Sequence, residues 1–112
     1  MDIKNKVYEF IKRTTGVSYV DLEHYFDKIG FDWRGDLAMM SENYENIVYW
    51  SGWNESALNV LSELLNENRI VGNGASQMIY AIDGKGLNMP VAKSQRNYKH
   101  PRWQPIEFDV TE

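Results

Sequence analysis

The sequence predicts a single α+β domain over all 112 residues, with helices in its first part and a β-hairpin in its last part. Apolar side chains recur at three- and four-residue steps in three separate stretches, which is typical of amphipathic helices. Further along, the Asp83-Gly84 pair lies between two runs of alternating apolar residues, which favours a hairpin. With 43% hydrophobic and 13% aromatic residues, the chain has enough apolar material for one core.

The third helix is the most clearly marked element, and we expect it over about residues 54–67. Asn54 can cap its first turn, and Trp53 and Leu58 have the spacing of a hydrophobic staple. Asn68 tolerates the left-handed conformation that ends a helix, and a short strand is expected directly after it. The helix carries one apolar stripe, made of Ala57, Leu58, Leu61, Leu64 and Leu65.

Two further helices are expected before it, over about residues 3–14 and 18–29. Ser18 and Asp21 form a short-armed version of the capping box at the start of the second helix. Gly30 ends that helix. The apolar faces consist of Ile3, Val7, Phe10 and Ile11 in the first helix, and of Leu22, Tyr25, Phe26 and Ile29 in the second.

Residues 31–51 have no clean hydrophobic period, and we interpret them as an insertion between the second and third helices. Their polar stretch 41–46 is turn-like. The run Ile47-Val48-Tyr49-Trp50 consists of β-branched and aromatic residues, which predicts a short buried strand.

The C-terminal part is predicted as a hairpin, a basic arm and a returning segment. Residues 77–82 are expected to form one strand, with Met78, Tyr80 and Ile82 on one face, and 87–91 the second. This hairpin, over about 77–92, would be followed by an exposed basic arm at 93–102. Residues 103–110 should be extended and should pack back onto the body.

The charge is distributed unevenly along a chain whose formal net charge is -4. Residues 85–104 contain no acidic side chain, whereas acids outnumber bases in the part of the chain before them. A basic, acid-free segment on an acidic body indicates a surface suited to a negatively charged partner. Its basic residues are Lys85, Lys93, Arg96, Lys99 and Arg102.

Several classes of function are disfavoured by residues that the chain lacks. It has no cysteine, and its two histidines, His24 and His100, are far apart, so no metal site and no cysteine nucleophile are expected. The glycine pairs around Asn73 and Lys85 lack the spacing of a phosphate-binding loop. No apolar run approaches the length of a membrane span, and no signal peptide is evident. We therefore expect a cytoplasmic protein that is not an enzyme and needs no cofactor.

The order of these elements resembles the winged helix-turn-helix superfamily. Residues V-Y-E-F-I-K-R-T-T-G-V-S-Y-V-D-L-E-H-Y-F carry the resemblance for the first two helices, E-S-A-L-N-V-L-S-E-L-L-N-E-N-R-I for the third, and M-I-Y-A-I-D-G-K-G-L-N-M-P-V-A for the wing. The resemblance implies that the third helix enters the major groove of DNA while the wing touches the backbone or minor groove. The chain departs from the usual pattern in the long insertion and in the glutamates on the outward face of the third helix.

The leading hypothesis is a small DNA-binding regulator of transcription or of a mobile element. Ser56 and Asn59 on the third helix would contact phosphate and base edges. Basic residues in the wing and arm would bind the phosphate backbone, and Tyr98 would stack on bases. A homodimer would increase the number of phosphate contacts. The basic residues are Lys85, Lys93, Arg96, Lys99 and Arg102.

Two alternatives remain open from the sequence. In the first, the protein is an inhibitor or adaptor that binds another protein, not DNA, through Trp33 and Tyr44 in the aromatic-rich insertion. In the second, the arm binds single-stranded nucleic acid, with Tyr98 and Trp103 stacking on the bases.

Overall fold

A computed structural model describes residues 2–111 and shows a mixed α+β fold with two three-stranded sheets. In chain order, the elements are α1 (Ile3–Thr14), β1 (Val17–Ser18), α2 (Tyr19–Lys28), β2 (Arg34–Met40), β3 (Ile47–Trp53), α3 (Glu55–Asn66), β4 (Ile70–Gly74), α4 (Met78–Ala81), β5 (Arg102–Trp103) and β6 (Ile106–Val110).

The three longer helices begin and end close to the residues expected from the sequence. The Ser18 side chain accepts from the Asp21 amide while the Asp21 carboxylate accepts from the Ser18 amide, so the capping box before α2 is confirmed. The Asn54 side chain accepts from the Ala57 amide at 2.8 Å and caps α3. Asn68 has a φ of 57°, the left-handed conformation expected after this helix.

The first sheet packs with the helices and has the strand order β1-β6-β4. β4 leaves α3 directly and pairs antiparallel with β6, from Ile70 opposite Val110 to Gly74 opposite Ile106. β1 pairs antiparallel with the other edge of β6 through Val17 and Phe108. The C-terminal segment 103–110 therefore returns to the body, as the sequence predicts.

The second sheet has the order β2-β3-β5 and is built mainly from the insertion. β2 and β3 form an antiparallel hairpin whose turn spans residues 41–46. β5 joins β3 in parallel, with Ile47 opposite Arg102. The predicted strand at residues 47–50 is confirmed and extends to Trp53, whereas β2 was not predicted. β2 is exposed along most of its length, so its residues carry no alternation of apolar and polar side chains.

The predicted wing hairpin at residues 77–92 is wrong. Residues 78–81 form the short helix α4, and the segment after it makes only an isolated bridge at Val91. Only Tyr80 of the expected apolar face is buried, while the side chains of Met78 and Ile82 are 63% and 83% exposed. In this helical turn, the Tyr80 hydroxyl has two hydrogen-bond partners. It donates to the Ile106 carbonyl at 2.7 Å and accepts from the Tyr19 amide at 3.1 Å.

A dense aromatic group forms the centre of the core. The Tyr19 ring stacks on Trp50 with centroids 5.8 Å apart and meets the rings of Trp53 and Phe108 edge-on at 5.5 and 5.1 Å. Trp50 and Trp53 were expected in the core, and both are buried. This group joins α2 to β3 and β6, so it fixes the insertion against the helical body. No helix among residues 2–111 is both long enough and apolar enough to cross a membrane.

Candidate nucleic-acid interface

The basic arm, residues 93–102, is attached to the turn of the β2–β3 hairpin. The Tyr98 amide donates to the Glu45 carbonyl at 3.1 Å, and the Arg102 amide donates to the Asn46 carbonyl at 2.7 Å. The Asn46 side chain donates in turn to the Tyr98 carbonyl at 2.7 Å, and the Glu45 amide donates to the Asn97 side chain at 2.9 Å. These four hydrogen bonds hold the backbone of the arm in a defined path.

Tyr98 is the residue around which the arm folds. Its hydroxyl accepts from the amides of Lys93 and Ser94 at 3.2 and 3.1 Å and donates to the Ser94 carbonyl at 2.9 Å. Its ring packs with Ile47 and Ala92 in a small second apolar cluster. The expectation that Tyr98 stacks on bases is therefore wrong, because only 7% of the residue is exposed.

Two arginines lie over the Tyr98 ring. The guanidinium carbons of Arg96 and Arg102 are 4.7 and 5.1 Å from the ring centroid, within the range of cation–π attraction. Arg96, followed by the backbone at Ser94, lowers the pKa of the Tyr98 hydroxyl to about 8. Arg96 acts as a positive charge above the ring, since the hydrogen bonds of the hydroxyl are to backbone groups. Both guanidinium groups of the arm thus lie against the Tyr98 ring.

The positive charge of the arm is not neutralised within the part of the chain that the structure describes. The ion pairs among residues 2–111 involve Lys4, Arg34, Arg69 and Lys85, and none of the basic residues of the arm. Lys93, Arg96 and Lys99 are exposed, and Arg102 is half-buried. The sequence correctly predicts a basic surface here, although the surface is anchored and not a free loop.

Lys85 was expected to contact phosphate with the arm, but it lies elsewhere and has another partner. Its ammonium group pairs with the carboxylate of Glu23 on α2, a residue that is only 2% exposed. The Trp50 and Trp53 indoles also donate to this carboxylate, at 2.8 and 2.9 Å. The Lys85 ammonium lies 5.3 Å from the centroid of the Trp33 ring. We name Glu23, Trp50, Trp53 and Lys85 the buried carboxylate cluster.

Sequence analysis missed Glu23, although a signal was present. Glu23 follows Tyr19 by four residues and precedes Phe26 by three, so it lies on the apolar side of α2. A carboxylate at such a position requires a buried partner. The partners come from distant parts of the chain, and their identity could not be read from α2 alone.

The two residues expected on the DNA-facing side of α3, Ser56 and Asn59, are both exposed. The core-facing side of the helix is buried as the stripe predicts, through Ala57, Leu61 and Leu64. Among residues 2–111, no hydrogen bond joins the exposed side of α3 to the arm, which is bonded to the hairpin turn. The hydrogen bonds and ion pairs therefore do not join the predicted contact residues into one surface, and Lys85 pairs with Glu23.

Trp33 and Tyr44, the residues of the alternative hypothesis, are both half-buried and lie in different places. The Trp33 indole donates to Asp27 at 3.1 Å, and the Arg34 guanidinium lies 4.7 Å from its ring centroid. Tyr44 packs against the same small cluster as Tyr98. Both side chains thus have packing partners within the protein.

An open cleft of about 370 Å³ lies between the hairpin, α3 and the first sheet. Sequence analysis did not indicate this cleft, because its lining comes from segments that are far apart in the chain. The lining residues are Tyr19, Met39, Met40, Glu42, Asn43, Tyr49, Ser62, Leu65, Asn66, Gly72, Ile106 and Phe108.

Comparison of the chain with protein-family models, curated proteins and solved structures finds no match. Within residues 2–111, no three His, Asp or Glu side chains come together as a metal site would require. Function must therefore be argued from the charge and geometry of the surfaces described above.

Proposed function

We propose that the protein binds duplex DNA as a small winged-helix regulator, with the basic arm on the phosphate backbone. The observation that carries this proposal is the arm itself. Four basic side chains lie within ten residues of acid-free chain, on a backbone fixed by hydrogen bonds, without an ion pair among the described residues. Binding of such a surface to DNA is favourable because it releases the counterions of the phosphates.

The order of the elements supports the winged-helix part of the proposal. Three helices are followed by β4 and β6, which pair antiparallel, and β1 between the first two helices completes the sheet. In this interpretation, β4 and β6 take the place of the wing strands expected at 77–92. Residues 75–105 form the enlarged connection between them, and this connection contains the arm.

The acidic character of α3 is partly neutralised by its neighbours. Lys4 on α1 lies 2.7 Å from a Glu67 oxygen and 3.8 Å from a Glu63 oxygen, and Arg69 also pairs with Glu67. These pairs lower the electrostatic cost of bringing α3 towards DNA. Ser56 and Asn59 are the polar groups that this helix offers to phosphate and base edges.

The proposal is tested by neutralising the arm without disturbing its fold. In the triple variant Lys93→Gln, Arg96→Gln, Lys99→Gln, three exposed charges are removed while Arg102 and Tyr98 remain. We expect affinity for a labelled random duplex, measured by fluorescence anisotropy at low salt, to fall at least about tenfold.

The matched control changes the same number of exposed basic residues elsewhere, through Lys6→Gln, Lys12→Gln and Lys28→Gln. It gives the same net charge and should keep its affinity for DNA within about twofold. No binding by the unmodified protein at low salt, or equal losses in both variants, would contradict the proposal.

A second candidate function, protein binding, is favoured by one feature of the second sheet. Within the described part of the chain, β2 is an edge strand whose outer side has no partner strand, and Leu37 and Met40 on it are 42% and 48% exposed. Such an edge can accept a strand from another protein. If this is its role, Leu37→Lys should abolish capture of a specific partner from cell extract and leave DNA affinity unchanged. Capture of the same partner by the variant would exclude this edge as the interface.

A further inference from the structure

The cleft between the hairpin and α3 is a candidate ligand site, and its lining contains both apolar and polar side chains. Met39, Met40 and Leu65 contribute apolar surface, and the half-buried Tyr49 contributes the accessible aromatic surface. The other two aromatic residues of the lining, Tyr19 and Phe108, are almost completely buried. Its volume of about 370 Å³ lies at the lower end of the range for small-molecule pockets. A ligand of this site would be a small molecule with an apolar body.

The charged side chain in the lining of the cleft favours one sign of charge on such a ligand. Glu42 is the only charged side chain in the lining, which contains no lysine, arginine or histidine. Within the described residues, the Glu42 carboxylate forms no ion pair. An anion would therefore be repelled, and a cation would find an available carboxylate.

The end of α3 and the aromatic and methionine side chains also line the cleft. Leu65 and Asn66 are the last two residues of this helix, and both line the cleft. The negative end of the helix dipole is thus at the cleft wall, although Lys4 and Arg69, which pair with glutamates at this end of α3, offset part of it. Tyrosine and phenylalanine rings also attract organic cations through their π faces, and methionine sulfur adapts to varied apolar shapes.

We propose that this cleft binds a small organic cation with an aromatic or alkyl body. The apolar part would lie against Met39, Met40 and Leu65, and the cationic group would lie near Glu42 and the Tyr49 ring. None of the described lining residues belongs to the basic arm, although the arm is bonded to the turn that contains Glu42.

The proposal is tested by titrating the protein with benzyltrimethylammonium and following the methionine methyl signals by NMR. Met39 and Met40 line the cleft, whereas Met78 and Met89 lie outside it and are internal controls. We expect saturable shifts at Met39 and Met40 only. Benzyl alcohol, the neutral comparison, should bind at least about threefold more weakly, and benzoate should not bind.

A pair of variants separates the charge effect from the shape of the cleft. Glu42→Gln should weaken binding of benzyltrimethylammonium about three- to fivefold, while Glu45→Gln, an exposed glutamate of the same turn outside the lining, should leave it unchanged. Absence of saturation up to about 10 mM, equal binding of benzoate, or equal affinity of the Glu42→Gln variant would overturn the proposal. The titration contains no DNA, so its outcome is independent of the proposed DNA binding.

Discussion

Lys85 and the basic arm belong to the same acid-free stretch of sequence, residues 85–104, but lie in different electrostatic surroundings. Lys85 is paired with a carboxylate that is almost completely buried, and two indoles share that carboxylate. The arm folds around Tyr98, an uncharged ring, and its basic groups stay without acidic partners among the described residues. A run of basic residues in a sequence therefore does not show which of the charges is available to a ligand. The tertiary contacts decide that.

The largest effect is expected from removing the buried carboxylate. Glu23→Ala would leave two buried indole N–H groups without an acceptor and Lys85 without its partner. We expect the free energy of unfolding to fall by about 3 kcal/mol, measured by urea denaturation. Glu9→Ala, which changes an exposed glutamate of α1, should alter it by less than about 0.5 kcal/mol. A comparable small effect for both variants would mean that the cluster does not stabilise the fold.

An intermediate effect is expected for the lysine of the same cluster. Lys85→Met leaves the buried Glu23 charge without its cation, whereas Lys93→Met removes a charge that has no ion-pair partner among the described residues. Because the Lys85 side chain is 42% exposed, we expect a loss of about 1–2 kcal/mol for Lys85→Met. Lys93→Met should change stability by less than about 0.5 kcal/mol. Equal losses in parallel urea titrations would remove the distinction between the two lysines.

Whether these elements could be predicted depends on how local their causes are. The helices were predicted because their caps and apolar stripes lie within a few residues, as with Ser18 and Asn54. The prediction of the wing hairpin was wrong because the conformation at Tyr80 is determined by the distant groups Tyr19 and Ile106. An alternating pattern at 77–82 was not sufficient to form a strand there.

The candidate sites show the same dependence on distance along the chain. The basic arm was predicted because the charges of a segment can be counted directly from its sequence. The role of Tyr98 within the arm was not predicted, because the fold brings Ile47 and Ala92 into contact with its ring. The cleft depends on residues from the hairpin, α3 and both sheets, and no single stretch of sequence indicates it.

The smallest expected effect concerns the pH dependence of the arm. The pKa of Tyr98 is lowered to about 8, mainly by Arg96, from an ordinary value of 10.0. Between these two values the native protein holds the phenolate while the unfolded chain still holds the phenol. The contribution of Tyr98 to stability is therefore present above pH 10 and is lost as the pH falls through about 8.

Near-ultraviolet absorbance titration should show one tyrosine that ionises near pH 8 in the native protein. This step should disappear in Tyr98→Phe and move to higher pH in Arg96→Gln. Tyr19 and Tyr80 will not contribute at this pH, because burial raises the pKa of both. An unchanged titration curve in Tyr98→Phe would show that the hydroxyl does not ionise in this range.

The salt dependence of DNA binding tests the central claim most directly. Each phosphate contact that is lost lowers the steepness of the plot of log affinity against log salt by about 0.9. We predict that Lys93→Gln, Arg96→Gln, Lys99→Gln together reduce this slope by about 2.7 relative to the unmodified protein, and that the matched control at Lys6, Lys12 and Lys28 does not. An identical slope for the arm variant and the unmodified protein would show that the arm does not bind phosphate.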